Sequence, residues 1–113
     1  KLVCGGETNR SEKYIAPTVI DEVKPDFPVM QDEIFGPILP VLTYENTGQA
    51  IDFISSREKP LSMYIFSSDK KEINQLLRGT SAGGGCINDT IIHIANSNLP
   101  FGGVGSSGMG KYH

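Results

Sequence analysis

Glu33-Ile34-Phe35-Gly36-Pro37 sets a carboxylate two residues before an aromatic ring, and a Gly-Pro pair then turns the backbone. Pro37 has no amide donor and disfavours helical geometry at Gly36, so acid and ring belong to a loop. The apolar run Ile38 to Leu42 follows, which places both groups at the entrance to a strand. An acid beside a ring can hold a sugar diol and cover a flat heterocycle. The plainer alternative is a surface glutamate next to a core phenylalanine. Cys86 is the other group with chemistry to offer, with His93 and His113 as candidate bases. A nucleophilic thiol needs a neighbouring base or a helix N-terminus to ionise it. Cys86 follows Gly83-Gly84-Gly85 in a stretch expected to be a buried strand, so an inert core thiol is the expectation. His93, between Ile92 and Ile94, has the setting of a structural histidine, and Cys4 at a strand end has no assigned role.

Three short motifs fail on context. Gly103-Val104-Gly105-Ser106-Ser107-Gly108 matches the spelling of a dinucleotide fingerprint. That motif works only between a strand and a helix, with an acid about twenty residues on; Pro100-Phe101 precedes it here, and no dinucleotide fingerprint is expected. Asn88-Asp89-Thr90 spells a glycosylation sequon, but no signal-peptide pattern opens the sequence and the match is expected to be chance. Gly110-Lys111-Tyr112 lacks the spacing and hydroxyl of a phosphate-binding loop.

The composition is that of an ordinary water-facing domain: 38% hydrophobic and 20% charged, with a net charge of −3. No basic field exists to attract nucleic acid or anionic lipid, and no apolar run is long enough to span a bilayer. Two distant cysteines without a CxxC pair read as free thiols of a reducing compartment, with a cytoplasmic location expected and no metal site. At 113 residues the chain is one domain at most. Thirteen glycines, concentrated late, make local backbone geometry matter more than bulk packing.

The elements that must position these groups follow in order. Leu2 to Cys4 is a short strand stopped by Gly5-Gly6; Glu7 to Lys13 is a loop; Thr18-Val19-Ile20 is strand-like. Asp21 to Met30, broken by Pro25 and Pro28, is extended or irregular. Ile38 to Tyr44 reads as a strand, with Pro40 marking an edge or bulge. Asn46 caps a helix to Arg57, with Gln49 at the capping-box position and Ala50, Ile51, Phe53 and Ile54 on its apolar side. Leu61 to Phe66 is the next strand. Ser68 or Asp69 caps a second helix with Ile73, Leu76 and Leu77 on one face, and Gly79 is placed for a left-handed C-terminal cap. Ala82 to Asn88 forms a Gly-rich strand, and Asp89 to His113 reads as loop. Strand, strand, then β-α-β-α-β is an α/β pattern with crossovers between parallel strands. Both ends look open, as expected for part of a larger protein.

Glu33-Ile34-Phe35-Gly36-Pro37, Arg57-Glu58-Lys59-Pro60-Leu61 and Leu99-Pro100-Phe101-Gly102-Gly103-Val104-Gly105-Ser106-Ser107-Gly108-Met109-Gly110 together resemble the aldehyde dehydrogenase superfamily. The Arg-Glu-Lys-Pro-Leu block, the Asn88 to His93 segment and Gly110-Lys111-Tyr112-His113 resemble its class 3 branch. The resemblance covers nearly the whole chain in the right order. It implies the C-terminal part of a catalytic domain, incomplete at both ends: a parallel-sheet α/β fragment with βαβ crossovers and a Gly-rich C-terminal loop. It also implies a parent enzyme that oxidises aldehydes to carboxylates through a cysteine-bound thiohemiacetal, with NAD or NADP taking the hydride. In that frame Glu33 would bind the nicotinamide-ribose hydroxyls, Phe35 would pack beside the nicotinamide, and Leu61 would line its pocket. Phe101 would border the substrate channel, and Asp89 to Asn98, with His93, would border substrate entry; Gly105 and Gly108 would serve chain geometry only. The family's nucleophilic cysteine, its glutamate base and its oxyanion asparagine match nothing here, so no catalytic residue is assigned and this stretch alone is expected to be inactive. Expected partners are the aldehyde, the rest of the parent chain and further copies in a homodimer or higher oligomer. A non-catalytic folding or interaction module is the competing reading.

Overall fold

The computed structural model describes Lys1 to Tyr112 and divides into two compact units, Lys1–Thr43 and the remainder from Tyr44 onward. In the first unit, β1 (Leu2–Cys4) pairs antiparallel with β4 (Thr18–Ile20), and β4 pairs parallel with β5 (Ile38–Pro40). β5 lies at the edge of this three-stranded sheet, the position that tolerates the missing amide of Pro40. It ends at Pro40 rather than running to Tyr44 as expected. The segment expected to be loop, Glu7 to Lys13, instead begins a small hairpin of β2 (Thr8–Asn9) and β3 (Tyr14–Ile15). Its turn is built by Asn9, whose Oδ1 accepts from the amides of Ser11 and Glu12 at 3.1 and 3.3 Å. Thr18 is buried and serves as an internal tie: its hydroxyl donates to the Ala16 carbonyl at 2.7 Å and accepts from the Gly6 amide at 3.0 Å.

The second unit is a β-α-β crossover with one helix ahead of it. α1 (Thr47–Ser55) is capped by Asn46, whose side chain accepts from the Gln49 amide at 3.1 Å. Gln49 reaches back to the Glu45 amide at 2.9 Å, one residue earlier than a strict capping box requires. β6 (Ser62–Ile65), α2 (Lys70–Gly79) and β7 (Gly84–Ile87) follow, with β6 and β7 parallel in the register Ser62↔Gly84, Tyr64↔Cys86. Asp69, not Ser68, caps α2 by accepting from the Lys71 and Glu72 amides.

Gly79 is not a left-handed cap. It is the last helical residue, and the extended Thr80 ends α2. Glycine is needed there for space, because a Cβ would lie 2.8 Å from Ile51 Cγ2 and 2.9 Å from Ile51 Cδ1 on α1. Leu76 and Ile65 are buried between helices and sheet. The stretch after Asn88 is not all loop. It contains α3 (Ile92–Ala95), a 3-10 turn at Gly105–Ser107, and a bridge between Phe101 and Tyr112; His113 lies outside the described residues. Gly105 and Gly108 have φ of +59° and +151°, so both serve chain geometry as expected. Inside the Gly103 to Gly108 run, Gly105–Ser107 form a 3-10 turn with Gly108 at φ +151°, not the start of the α-helix that a dinucleotide fingerprint needs.

Candidate functional site

The acid and ring of the first unit stand on a loop held at both ends. Before it, a 3-10 turn at Pro28–Met30 leads to Gln31, whose amide nitrogen donates to the Pro25 and Phe27 carbonyls at 3.1 and 3.2 Å. After it, the Pro37 carbonyl accepts from the Thr18 amide at 2.8 Å, which fastens the Gly36-Pro37 turn to β4. Between these anchors Phe35 is 93% exposed, and the Glu33 carboxylate is exposed with no protein partner among the described residues. Phe35 is thus not a core residue, contrary to the plainer sequence reading. A carboxylate free to accept and a ring with both faces open match the donors and the flat face of a nucleotide ribose and base.

In the second unit the other candidates converge on the β6–β7 pair. The Leu61 carbonyl accepts from the Gly84 amide at 3.0 Å, while the Gly83 amide donates to Pro60 at 3.0 Å. Gly83 is also where the loop after Phe101 closes in. A Cβ there would overlap the Gly102 carbonyl and lie 2.6 Å from the Leu61 oxygen and 3.0 Å from Gly103 Cα. Leu61 and Phe101, forty residues apart, are therefore brought together by a glycine. Leu61 is 42% exposed; Phe101 is half-buried, with its amide and carbonyl paired to Tyr112 at 2.8 and 2.6 Å.

His93 lies beneath this loop, only 9% exposed. Successive strand residues face opposite sides, so Ser62, Tyr64, Gly84 and Cys86 share one face of the pair, and His93 packs on it. Its Nε2 is 3.4 Å from Ser62 Oγ and its Nδ1 is 3.5 Å from Cys86 Sγ. Its ring meets Tyr64 edge-on at 5.8 Å and Phe101 tilted at 5.9 Å. Cys86 is half-buried and in contact with His93, a pairing the sequence reading set aside. Ser62 and Tyr64 went unmarked because only the strand register reveals that they share the histidine's face. The Asn88 side chain is occupied on both sides by the Ser67 backbone, at 2.9 and 3.0 Å. Among the described residues no three His, Cys, Asp or Glu side chains gather as metal ligands, and no helix is long and apolar enough to cross a membrane.

Comparison with known proteins identifies the family and the fold. The model of the aldehyde dehydrogenase family matches residues 1–113. The chain is 54% identical over 112 residues to 4,4'-diaponeurosporen-aldehyde dehydrogenase of Staphylococcus aureus. It is 53% identical over 113 residues to aldehyde dehydrogenase family 3 member A2 of Rattus norvegicus. It covers 99% and 100% of itself in these matches but only 24% and 23% of the relatives, so it spans about a quarter of their length. Among solved structures, the substrate-bound state of Staphylococcus aureus AldH superposes with a TM-score of 0.95 at 54% identity, over 99% of this chain and 24% of that one. An NAD-dependent aldehyde dehydrogenase from Sinorhizobium meliloti gives 0.85 at 35% identity, over 98% and 22%. On these matches the chain belongs to the aldehyde dehydrogenase family, with class 3 members among its relatives.

Proposed function

We propose that this chain is the C-terminal part of the catalytic domain of an NAD(P)-dependent aldehyde dehydrogenase, and that it supplies nicotinamide-ribose contacts and part of the aldehyde channel. The observation that carries the reading is Phe35, 93% exposed beside an unpartnered Glu33 on a loop fastened at both ends. An exposed aromatic ring held in place by its backbone is prepared to be covered. In the whole enzyme a bound nicotinamide cofactor would supply the hydride acceptor that oxidation of an aldehyde to a carboxylate requires. Glu33 binds and orients: its two oxygens accept hydrogen bonds from a diol, each strengthened by the negative charge. Phe35 presents a flat apolar face that excludes water from the ring it covers, and Leu61, in the second unit, is assigned a contact of its own with the nicotinamide side of the cofactor. Phe101 walls the channel, and His93 lies against the Phe101 ring. Forming the cysteine adduct and hydrolysing it belong to residues outside this stretch, and this stretch alone is inactive.

The test is Glu33→Gln in the full-length enzyme. Replacing a charged acceptor by a neutral amide weakens each of two hydrogen bonds by roughly 1 kcal/mol. Hydride transfer, read by pre-steady-state NAD(P)H formation, should slow by about tenfold or more. Unchanged transfer and unchanged cofactor affinity would remove the role given to Glu33.

A further inference from the structure

We propose that His93 is a positioning residue: it sets aldehyde selectivity by fixing the ring of Phe101, and does not itself touch the substrate. The proposal rests on the reading of Phe101 as channel wall. His93 and Thr18 are the two buried polar side chains among the described residues, and Thr18 ties only its own unit's backbone.

Several independent features aim the imidazole at the sheet. Ile91 holds φ at +64°, a left-handed geometry that a β-branched side chain adopts only under strain. That backbone turn launches α3 directly after it, with His93 as its second residue. Gly84 clears the floor, since a Cβ there would sit 3.0 Å from His93 Cδ2 and 3.3 Å from Nε2. The two ring nitrogens are then both occupied, by Ser62 Oγ and Cys86 Sγ. A neutral imidazole has one donor and one acceptor nitrogen. The serine hydroxyl and the thiol can each take either role, so both nitrogens are satisfied inside the protein. None is left to contact an aldehyde. What His93 does offer outward is its ring, which meets Phe101 at 5.9 Å and 58°. The Phe101 backbone is fixed by Tyr112, so its side-chain angle is the remaining freedom, and the histidine limits it.

The experiment uses the full-length enzyme with His93→Leu, His93→Gln, Phe101→Leu and each His93 change combined with Phe101→Leu. Readouts are kcat/KM for propanal and for a bulky aromatic aldehyde, and the ring resonances of Phe101 in protein carrying ring-labelled phenylalanine. Aromatic ring contacts of this kind correspond to roughly two- to tenfold in an equilibrium. His93→Leu should change the aromatic-to-propanal ratio of kcat/KM by that factor and shift the Phe101 resonance. His93→Gln, which keeps an amide able to reach one of the two partners, should recover part of the ratio. In the Phe101→Leu background neither His93 change should move the ratio further. An equal fall for both aldehydes, or the same ratio change with Phe101 already gone, would overturn the proposal. If Phe101→Leu alone leaves the ratio unchanged, the channel role of Phe101 fails; the resonance then decides separately whether His93 holds the ring, and an unmoved signal refutes that. Should His93→Leu not fold, His93→Gln with the same double variant carries both comparisons.

Discussion

Gly83→Ala should damage both stability and substrate handling, because the added methyl would enter the joint between the Leu61 turn and the Phe101 loop. Its Cβ would overlap the Gly102 carbonyl and lie 2.6 Å from the Leu61 oxygen, about 0.8 Å inside the 3.4 Å at which ordinary contact begins. All three nearest atoms are backbone, so no side chain can swing aside. If the Leu61 carbonyl retreats by that amount, its hydrogen bond to the Gly84 amide, 3.0 Å long, passes beyond hydrogen-bonding distance. Overpacking of this kind costs about 1–3 kcal/mol, and losing one backbone hydrogen bond adds roughly 0.5–1.5 kcal/mol. Against this, alanine reduces the entropy of the unfolded chain by about 0.4–1 kcal/mol. The net expectation is a loss of about 0.5–4 kcal/mol, read as a lower urea midpoint of the full-length enzyme. The same displacement moves Phe101 relative to Leu61, so KM for the aldehyde should rise as well. Gly36→Ala is the control, since nothing lies within 4 Å of its Cβ and its φ is not left-handed; its midpoint should hold or rise slightly through the same entropy term. Equal midpoints for the Gly83 and Gly36 variants would refute the close approach at Gly83 and the joint built on it.

Two further outcomes concern the helices. Asp69→Ala removes the acceptor for the Lys71 and Glu72 amides and should cost about 0.5–2 kcal/mol, again as a lower urea midpoint; an unchanged midpoint would mean that solvent caps α2 equally well. Gly79→Ala raises helix propensity by about 1 kcal/mol, yet it should destabilise, because its Cβ would press on Ile51 Cγ2 and Cδ1. In an Ile51→Ala background both atoms are gone and the sign should reverse, so a destabilising effect in both backgrounds would sink the steric account.

Legibility in the sequence followed the range of the interaction. The caps of both helices could be read because Asn46 and Asp69 bond amides two or three residues away. The edge position of β5 was legible from Pro40 for the same local reason. Gly79 was misjudged because its neighbour, Ile51, lies on another helix; the end of a helix looks alike whether glycine is there for φ or for clearance. The β2–β3 hairpin is made of two-residue polar strands, which carry no alternation to detect. α3 has four residues and no capping side chain, so neither period nor cap announced it. Glu33, Phe35, Leu61 and Phe101 were singled out because each stands in a contiguous motif. The Ser62–His93–Cys86 contact spans thirty-one and seven residues and exists only through the parallel register that puts Tyr64 opposite Cys86.

The two faces of the β6–β7 pair also divide labour. α2 packs on the face bearing Met63 and Ile65, where the Thr80 hydroxyl donates to Met63 Sδ at 3.4 Å, and α1 packs against α2. His93 and Phe101 occupy the face bearing Ser62 and Tyr64. The β6–β7 pair therefore stands between the helices and the side on which we propose the aldehyde channel. Substitutions on separate sides with no shared partners combine additively. Substitutions in α1 and α2 that lie more than about 7–10 Å from His93 and Phe101 and share no partner with them should therefore change stability and leave the proposed selectivity as it is. That separation makes this segment suited to a family whose members hold one architecture while accepting different aldehydes.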